Sequence, residues 1–376
     1  MRIGIVSDTF LPQIGGAEIH VKNLAHFLKT SGEDVCIFTN TPGDYDFEGI
    51  KVWRNQNRGI RLFRLIRDMK NLINFIGKVD CVHAHYTFYL SCLAVFICKS
   101  YRKPIVVTLH GLGTLDSSVD KYFRRRIYRW VSFKLADAVI ATSDEMADVA
   151  RRFVKEKKIF IITNGVDTNY FHSTERVDKL GNQIIVLSMR RLNPKNGVQY
   201  LIEAIPYVAE KFKNIEFWIF GKDKLEGYLR KRVEELHIGS FVKFIGNVPN
   251  DQIKEYYEKA DIITFPSSAE STSIACLEAM SMEKCVVASA LGVFKMMLGN
   301  NERGWLVKLF DREESNYDAP LNLPNEKIKL LADSVILLIK DDNLRKTLGK
   351  NAREYVVENY DWRILTKIIL NIYKNL

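Results

Sequence analysis

Short apolar runs alternate along this chain with longer stretches whose apolar residues recur every three to four positions. Ile3–Ser7, Val35–Thr39, Val79–His83, Ile105–Leu109, Ala138–Thr142 and Phe160–Thr163 read as strands. A second series follows at Ile184–Ser188, Ile215–Phe220, Val242–Ile245, Ile262–Phe265 and Val286–Ser289. Strands alternating with helices predict parallel, doubly wound sheets, and two such series predict an α/β chain of two Rossmann-like domains facing across a cleft. The polar stretch from Asn164 to Asn182 has turn chemistry and no periodicity, which puts the boundary near residues 170–182 and the domains at 1–172 and 173–359. An apolar terminal helix, about 360–376, could pack on either domain, including back on the first.

Length and composition agree with this picture. The 376 residues suffice for two cores, and 47% hydrophobic with 27% charged residues describes a globular chain. No apolar run reaches membrane-spanning length, and Met1-Arg-Ile-Gly-Ile-Val begins directly as a strand, so the expected location is cytoplasmic. The six cysteines lie scattered in apolar runs and read as reduced core residues. No zinc-ligand spacing occurs, and the one close histidine pair, His83 and His85, shares a strand face, so no metal is expected.

Charge changes the picture in one respect. Of the net +10, residues 1–180 carry 27 basic against 19 acidic side chains, or +8, and the rest 28 against 26, or +2. Two segments concentrate the excess. Arg58, Arg61, Arg64, Arg67 and Lys70 interleave with Leu62, Phe63, Leu65, Ile66 and Met69. Lys121, Arg124, Arg125, Arg126 and Arg129 stand beside Tyr122, Phe123, Tyr128 and Trp130. Both read as basic amphipathic helices, packed on a core or suited to an anionic membrane surface; no nucleic-acid motif accompanies them, so no nucleic-acid partner is expected.

The polar motifs fall after predicted strands, where open parallel sheets bind ligands. Gly15 and Gly16 follow the first strand, His110 and Gly111 the fourth, Arg190 and Arg191 the first of the second series, and Gly221 the next. Glu270 follows Ile262–Phe265. Ser271, Thr272 and Ser273 are N-cap residues, and Ile274, Leu277 and Met280 then recur with helical spacing, so a helix is expected to begin just after Glu270 with Glu278 two turns inside. Such a start holds phosphate with backbone N–H groups, leaving both glutamates free for hydroxyl groups.

Taken in order, Gly15-Gly16-Ala-Glu18, Val82-His83-Ala-His85, Thr108-Leu-His110-Gly111, Asn164-Gly-Val-Asp167, Arg191-Leu…Gly197, Phe244-Ile-Gly246-Asn247-Val248 and the Glu-x7-Glu pair Glu270/Glu278 resemble the family 4 glycosyltransferases of the GT-B fold, over essentially the whole chain. The resemblance implies a retaining, metal-independent transfer of a sugar from a nucleotide-diphosphate sugar to a glycan or lipid-linked acceptor, without a cofactor. It implies that Glu278 holds the ribose hydroxyls. Glu270, with the amides of Ser271, Thr272, Ser273 and Ile274, takes the donor sugar and phosphate. Arg191 and Lys195 take the diphosphate, with Arg190 beside them. His110 faces the transferred sugar, and Gly15 and Gly16 close over the phosphates. Gly221, Gly246, Asn247 and Val248 complete the donor-binding set. This chain departs from the family pattern in having Arg190 at a usual glycine, Asn196 at a usual lysine and Lys195 one place early. A GT-B epimerase and a noncatalytic anion- or membrane-binding module of the same fold are the competing expectations. Asp44-Tyr-Asp46 matches the metal-binding Asp-x-Asp of another glycosyltransferase fold, but its surroundings are those of a turn.

Overall fold

The computed structural model describes residues 1–13, 15–55, 61–110, 123–173, 183–222, 225–249, 251–311, 316 and 318–376, without the side chains of 61–64 and 123–124. Of the positions singled out above, Arg58, Gly111, Lys121 and Tyr122 lie outside the described residues, as do the side chains of Arg61, Leu62, Phe63, Arg64, Phe123 and Arg124. The chain forms two units, Met1–Gly165 together with Trp362–Leu376, and Val166–Asp361.

The first unit holds seven strands: β1 (Arg2–Ser7), β2 (Asp34–Thr39), β3 (Lys51–Arg54), β4 (Cys81–His85), β5 (Ile105–Leu109), β6 (Ala138–Ala141) and β7 (Ile159–Ile161). They order as β3-β2-β1-β4-β5-β6-β7, all pairs parallel. The second unit holds β8 (Ile184–Ser188), β9 (Ile215–Phe220), β10 (Val242–Gly246), β11 (Ile262–Phe265), β12 (Cys285–Ser289) and β13 (Trp305–Val307), ordered β10-β9-β8-β11-β12-β13 and also parallel. Both are the doubly wound sheets expected. The predicted run Val79–His83 is displaced to Cys81–His85. The strands β3 and β13 escaped prediction because they are short: β3 has two apolar residues between Lys51 and Arg54, and β13 has three residues in all.

In each unit the strand order reverses beside the first strand, between β1 and β4 and between β8 and β11. The loops after these strands diverge there and leave a crevice for ligand. The terminal helix Trp362–Lys374 belongs to the first unit: Trp362, Leu365, Ile369 and Leu370 join the core that contains Ile3, Ile5, Leu24 and Phe27. Gly165 admits it, since a Cβ there would stand 2.9 Å from the Trp362 indole.

The basic segments form the helices Arg61–Ile76 and Phe123–Leu135. Ile66, Ile127 and Trp130 project into solvent from them, while Leu72 and Phe133 are core residues. No described helix is long and apolar enough to cross a membrane. All six cysteines are free, and five are buried, as a reduced core requires. Asp46 accepts a hydrogen bond from the Val52 amide at 2.9 Å, and Tyr45 lies under Arg54, so both support the turn that enters β3.

Candidate functional site

In the second unit the site begins with two close backbone approaches. Gly197 adopts φ +72°, and a Cβ would lie 1.9 Å from the Pro266 carbonyl oxygen. Gly221 adopts φ +90°, and a Cβ would lie 2.2 Å from that of Arg190. Only glycine fits either place. The loop after β8 is thereby laid against the loop after β11, where the Ser268 amide donates to the Lys195 carbonyl at 2.8 Å.

Arg190 leaves β8 into this junction. Its guanidinium is ion-paired with Glu270 and donates to Ser267 Oγ and Ser273 Oγ, both at 3.1 Å, and to Asn196 Oδ1 at 2.9 Å. Asn196 in turn donates to the Arg191 carbonyl at 2.8 Å. The residue that replaces a usual glycine therefore organises the pocket. Arg190 and Glu270 are both about nine-tenths buried, and burial is tolerable because each neutralises the other. Lys195 comes next: desolvation pushes its ammonium below the ordinary value, Arg190 and Arg191 add to the push, and Glu270 opposes it. An anion bound here would reverse that depression. Arg191 is exposed at the same loop.

The helix after β11 starts at Ile274, not just after Glu270. Ser273 is the N-cap and accepts from the Cys276 amide at 3.3 Å, while Ser271 and Thr272 remain in the loop between Glu270 and Ser273, the two residues that Arg190 bonds. Glu278 consequently lies one turn inside the helix rather than two. It is buried against Tyr257, whose hydroxyl stands 3.0 Å from Glu278 Oε2 and 3.1 Å from the Ala275 carbonyl. Desolvation raises its carboxyl to about 8, with the Tyr257 hydrogen bond opposing. Each glutamate has a protein partner, Arg190 for Glu270 and Tyr257 for Glu278, as a buried carboxylate requires.

In the first unit His110 follows β5 directly and is buried among other imidazoles. His85 Nδ1 lies 2.9 Å from His110 Nε2, and the His20 ring packs edge-on at 4.7 Å. His83 stacks on His85 at 4.4 Å and is held by Thr108 Oγ1 at 2.6 Å and by the Tyr373 hydroxyl. Burial drives all four histidines toward the neutral form, His20 to about 4, His83 to about 3, and His85 and His110 well below the usual value. His20, His85 and His110 bring ring nitrogens within 4.8 Å of one another, a grouping the sequence spacing did not show. The His85 and His110 nitrogens face each other across a hydrogen bond, so their lone pairs do not converge on a common ion. Gly15 caps the helix Gly16–Thr30 without a side chain, and nothing lies within 4 Å of a Cβ on Gly16 among the described residues.

Two family matches cover most of the chain: "Glycosyltransferase Family 4" over residues 14–170 and "Glycosyl transferases group 1" over residues 172–355. The chain is a family 4-like glycosyltransferase. The transferase is 26% identical to the phosphatidyl-myo-inositol mannosyltransferase of Mycobacterium tuberculosis, covering 100% of this chain and 97% of that one. It is 24% identical to the alpha-monoglucosyldiacylglycerol synthase of Acholeplasma laidlawii, with 100% and 97% covered. Its fold is that of the GT-B protein HepE of Anabaena, solved with UDP (TM-score 0.81) and with UDP-glucose (0.80), at 20% identity and full coverage of both chains.

Within the second unit of the transferase, Arg190, Lys195, Glu270 and Ser273 converge as one cluster. Glu278 stands apart from that network, with Tyr257 as its partner. Gly246 adopts φ +81° and its carbonyl accepts from the Gly221 amide at 2.8 Å, which ties Gly246, Asn247 and Val248 to the loop beside Arg190. Sequence reading missed Tyr257, Ser267 and Asn196 as organisers. Asn196 was noticed only as a departure, and nothing in the pattern around Tyr257 distinguishes it from a core aromatic.

Proposed function

We propose that this chain transfers a sugar, with retention, from a nucleotide-diphosphate sugar to a glycan or lipid-linked acceptor, without a metal ion. The observation that carries the reading is the buried Arg190–Glu270 pair, flanked by Lys195, at the switch point of the second sheet. Breaking the bond from sugar to diphosphate leaves negative charge on the departing phosphate. Arg190, Arg191 and Lys195 against one glutamate supply a fixed excess of positive charge for it, aided by the amides at the start of the helix Ile274–Ser281. Glu270 accepts hydroxyls of the donor sugar, Glu278 those of the ribose, and Gly221, Gly246, Asn247 and Val248 line the nucleotide side. In the first unit His110 contacts the sugar and Gly15 and Gly16 the phosphates. HepE, with its UDP and UDP-glucose complexes, favours a uridine donor, and the lipids in the names of the two relatives favour a lipid-linked acceptor. The exposed Ile66 and Trp130 on basic helices fit a peripheral position on the cytoplasmic face of a membrane.

A panel of UDP-, GDP- and ADP-sugars tests the donor: at 100 times its dissociation constant the right one stabilises the fold by about 2.7 kcal/mol. Nucleoside diphosphate must then be released on addition of acceptor, and the anomeric configuration of the product must match the donor. A folded protein stabilised by none of these donors overturns the proposal.

A further inference from the structure

His85 and His110 make a contact whose geometry says which nitrogen carries the proton. The facing nitrogens are 2.9 Å apart, the ring centroids 5.2 Å apart, and the planes within 18°. The difference between the two separations is that of two ring radii, so the bond lies head-on in a shared plane. Such a bond holds a single proton: one nitrogen donates and the other offers its lone pair. Both rings are neutral because burial disfavours the charged form, so a second proton is not available to the pair.

The orphaned atom of His85 decides the direction. Its Nε2 is buried and makes no hydrogen bond among the described residues. Were His110 the donor, His85 would carry its proton on that nitrogen, leaving a buried N–H with no acceptor among the described residues, which folded proteins rarely tolerate. With His85 donating from Nδ1, the orphan is a bare lone pair, the milder of the two deficits. We infer that His85 is a positioning residue that donates its Nδ1–H to His110 Nε2, fixing His110 as the tautomer with its proton on Nδ1. The inference about the tautomer stands on this contact alone; its consequence for turnover rests on the reading of His110 as a sugar-contacting residue.

The surroundings hold this pair still. His83 stacks on the His85 ring and is itself anchored at both nitrogens, by Tyr373 and Thr108. Tyr86, next in sequence to His85, adopts φ +67°, a strained conformation for an aromatic residue, and places its ring 5.0 Å from that of His110. His20 closes the remaining side. With Nε2 accepting from His85, the donor left to His110 is Nδ1–H, a group of the kind that can bond a sugar hydroxyl or ring oxygen without reorienting during reaction.

Long-range nitrogen–proton NMR of the full chain with 15N-labelled histidine reads the tautomers directly. The wild type should show His110 protonated on Nδ1 and His85 on Nδ1. His85→Leu should release His110 into a mixture of tautomers and lower kcat at least about tenfold with donor KM little changed. His85→Asn places an amide N–H where Nδ1–H stood, so it should restore the His110 tautomer and most of the lost kcat. A wild-type His110 protonated on Nε2 overturns the inference even if the Leu variant does not fold, and so does an unchanged tautomer in a folded His85→Leu. His110→Ala, assayed in parallel, separates the two questions: full activity there removes His110 from the reaction and leaves the NMR result for His85 standing by itself.

Discussion

Replacing Glu278 with glutamine should move stability and nucleotide affinity in opposite directions. Burial lifts the Glu278 carboxyl from the ordinary 4.5 to about 8. Below pH 4.5 both folded and unfolded chains carry the proton, and it has no effect on stability. As pH rises toward 8 the unfolded chain ionises while the fold keeps its proton, so stability falls; above 8 the loss is complete. At about 1.4 kcal/mol per pH unit, the gap amounts to about 5 kcal/mol. Glutamine fills the same space and can still hydrogen-bond Tyr257, but it has no charge to desolvate. The variant should therefore match the wild type near pH 5 and exceed it by several kcal/mol at pH 9, in denaturant melts of the second unit. Donor binding should weaken, because a ribose hydroxyl bonded to a charged acceptor contributes about 1.5–3 kcal/mol, a roughly ten- to hundredfold change in dissociation constant. Calorimetry with the nucleotide provides the second check: wild type should release a proton on binding at pH 7, seen as a buffer-dependent enthalpy, and the variant should not. Unchanged nucleotide affinity in a folded variant would sink the ribose assignment, and a stability difference independent of pH would remove the buried proton.

Activity should survive EDTA, with Arg190, Arg191 and Lys195 neutralising the phosphates; loss of turnover restored by manganese or magnesium would refute this. Acid should weaken the first unit, because His20, His83, His85 and His110 stay neutral in the fold while the unfolded chain takes up protons below about pH 6.5. Their stabilisation is complete above that pH and falls by about 1.4 kcal/mol per histidine per pH unit toward the folded values; hydrogen-exchange protection factors of first-unit peptides, taken against the intrinsic rate at each pH, that do not fall between pH 7 and 5 would contradict it. Gly197→Ala should cost the second unit at least about 2 kcal/mol, from its positive φ and the Pro266 carbonyl in the way, measurable as a lower urea midpoint. The chain should pellet with anionic but not neutral vesicles, each cation near the surface contributing about 1 kcal/mol, and Arg61→Glu with Arg64→Glu should abolish this; binding that persists in the double variant would place the contact elsewhere.

The alternation of apolar runs and helical periodicity determined both sheets, because central parallel strands are buried on two faces and must be apolar throughout. It left β3 and β13 unseen, since Lys51-Val-Trp-Arg54 and Trp305-Leu-Val307 are too short to set up a recognisable apolar run. The positions of Gly15, His110, Arg190, Gly221 and Glu270 after strands were legible for a related reason: in such sheets the loops at the carboxyl ends are where chemistry is placed. The helix start was misread because Ser271, Thr272 and Ser273 are all good caps, and a local rule cannot choose among equals. Arg190 chose, by bonding Ser273 and Glu270 from another loop.

Only the tertiary structure decided the states of the polar groups. A sequence gives Glu278 an ordinary carboxyl; burial against Tyr257 gives it a proton near neutral pH. It gives seven histidines with one close pair; the helix after β1, the end of β4 and the residue after β5 set His20, His85 and His110 side by side. The helix Trp362–Lys374 likewise returns to the first unit from the far end of the chain, carrying Tyr373 to His83. Hydrophobic pattern is a local property that each segment carries with it. Desolvation and partnership depend on what arrives from elsewhere in the chain, and they set the charge, the tautomer and the reach of every group in the candidate site.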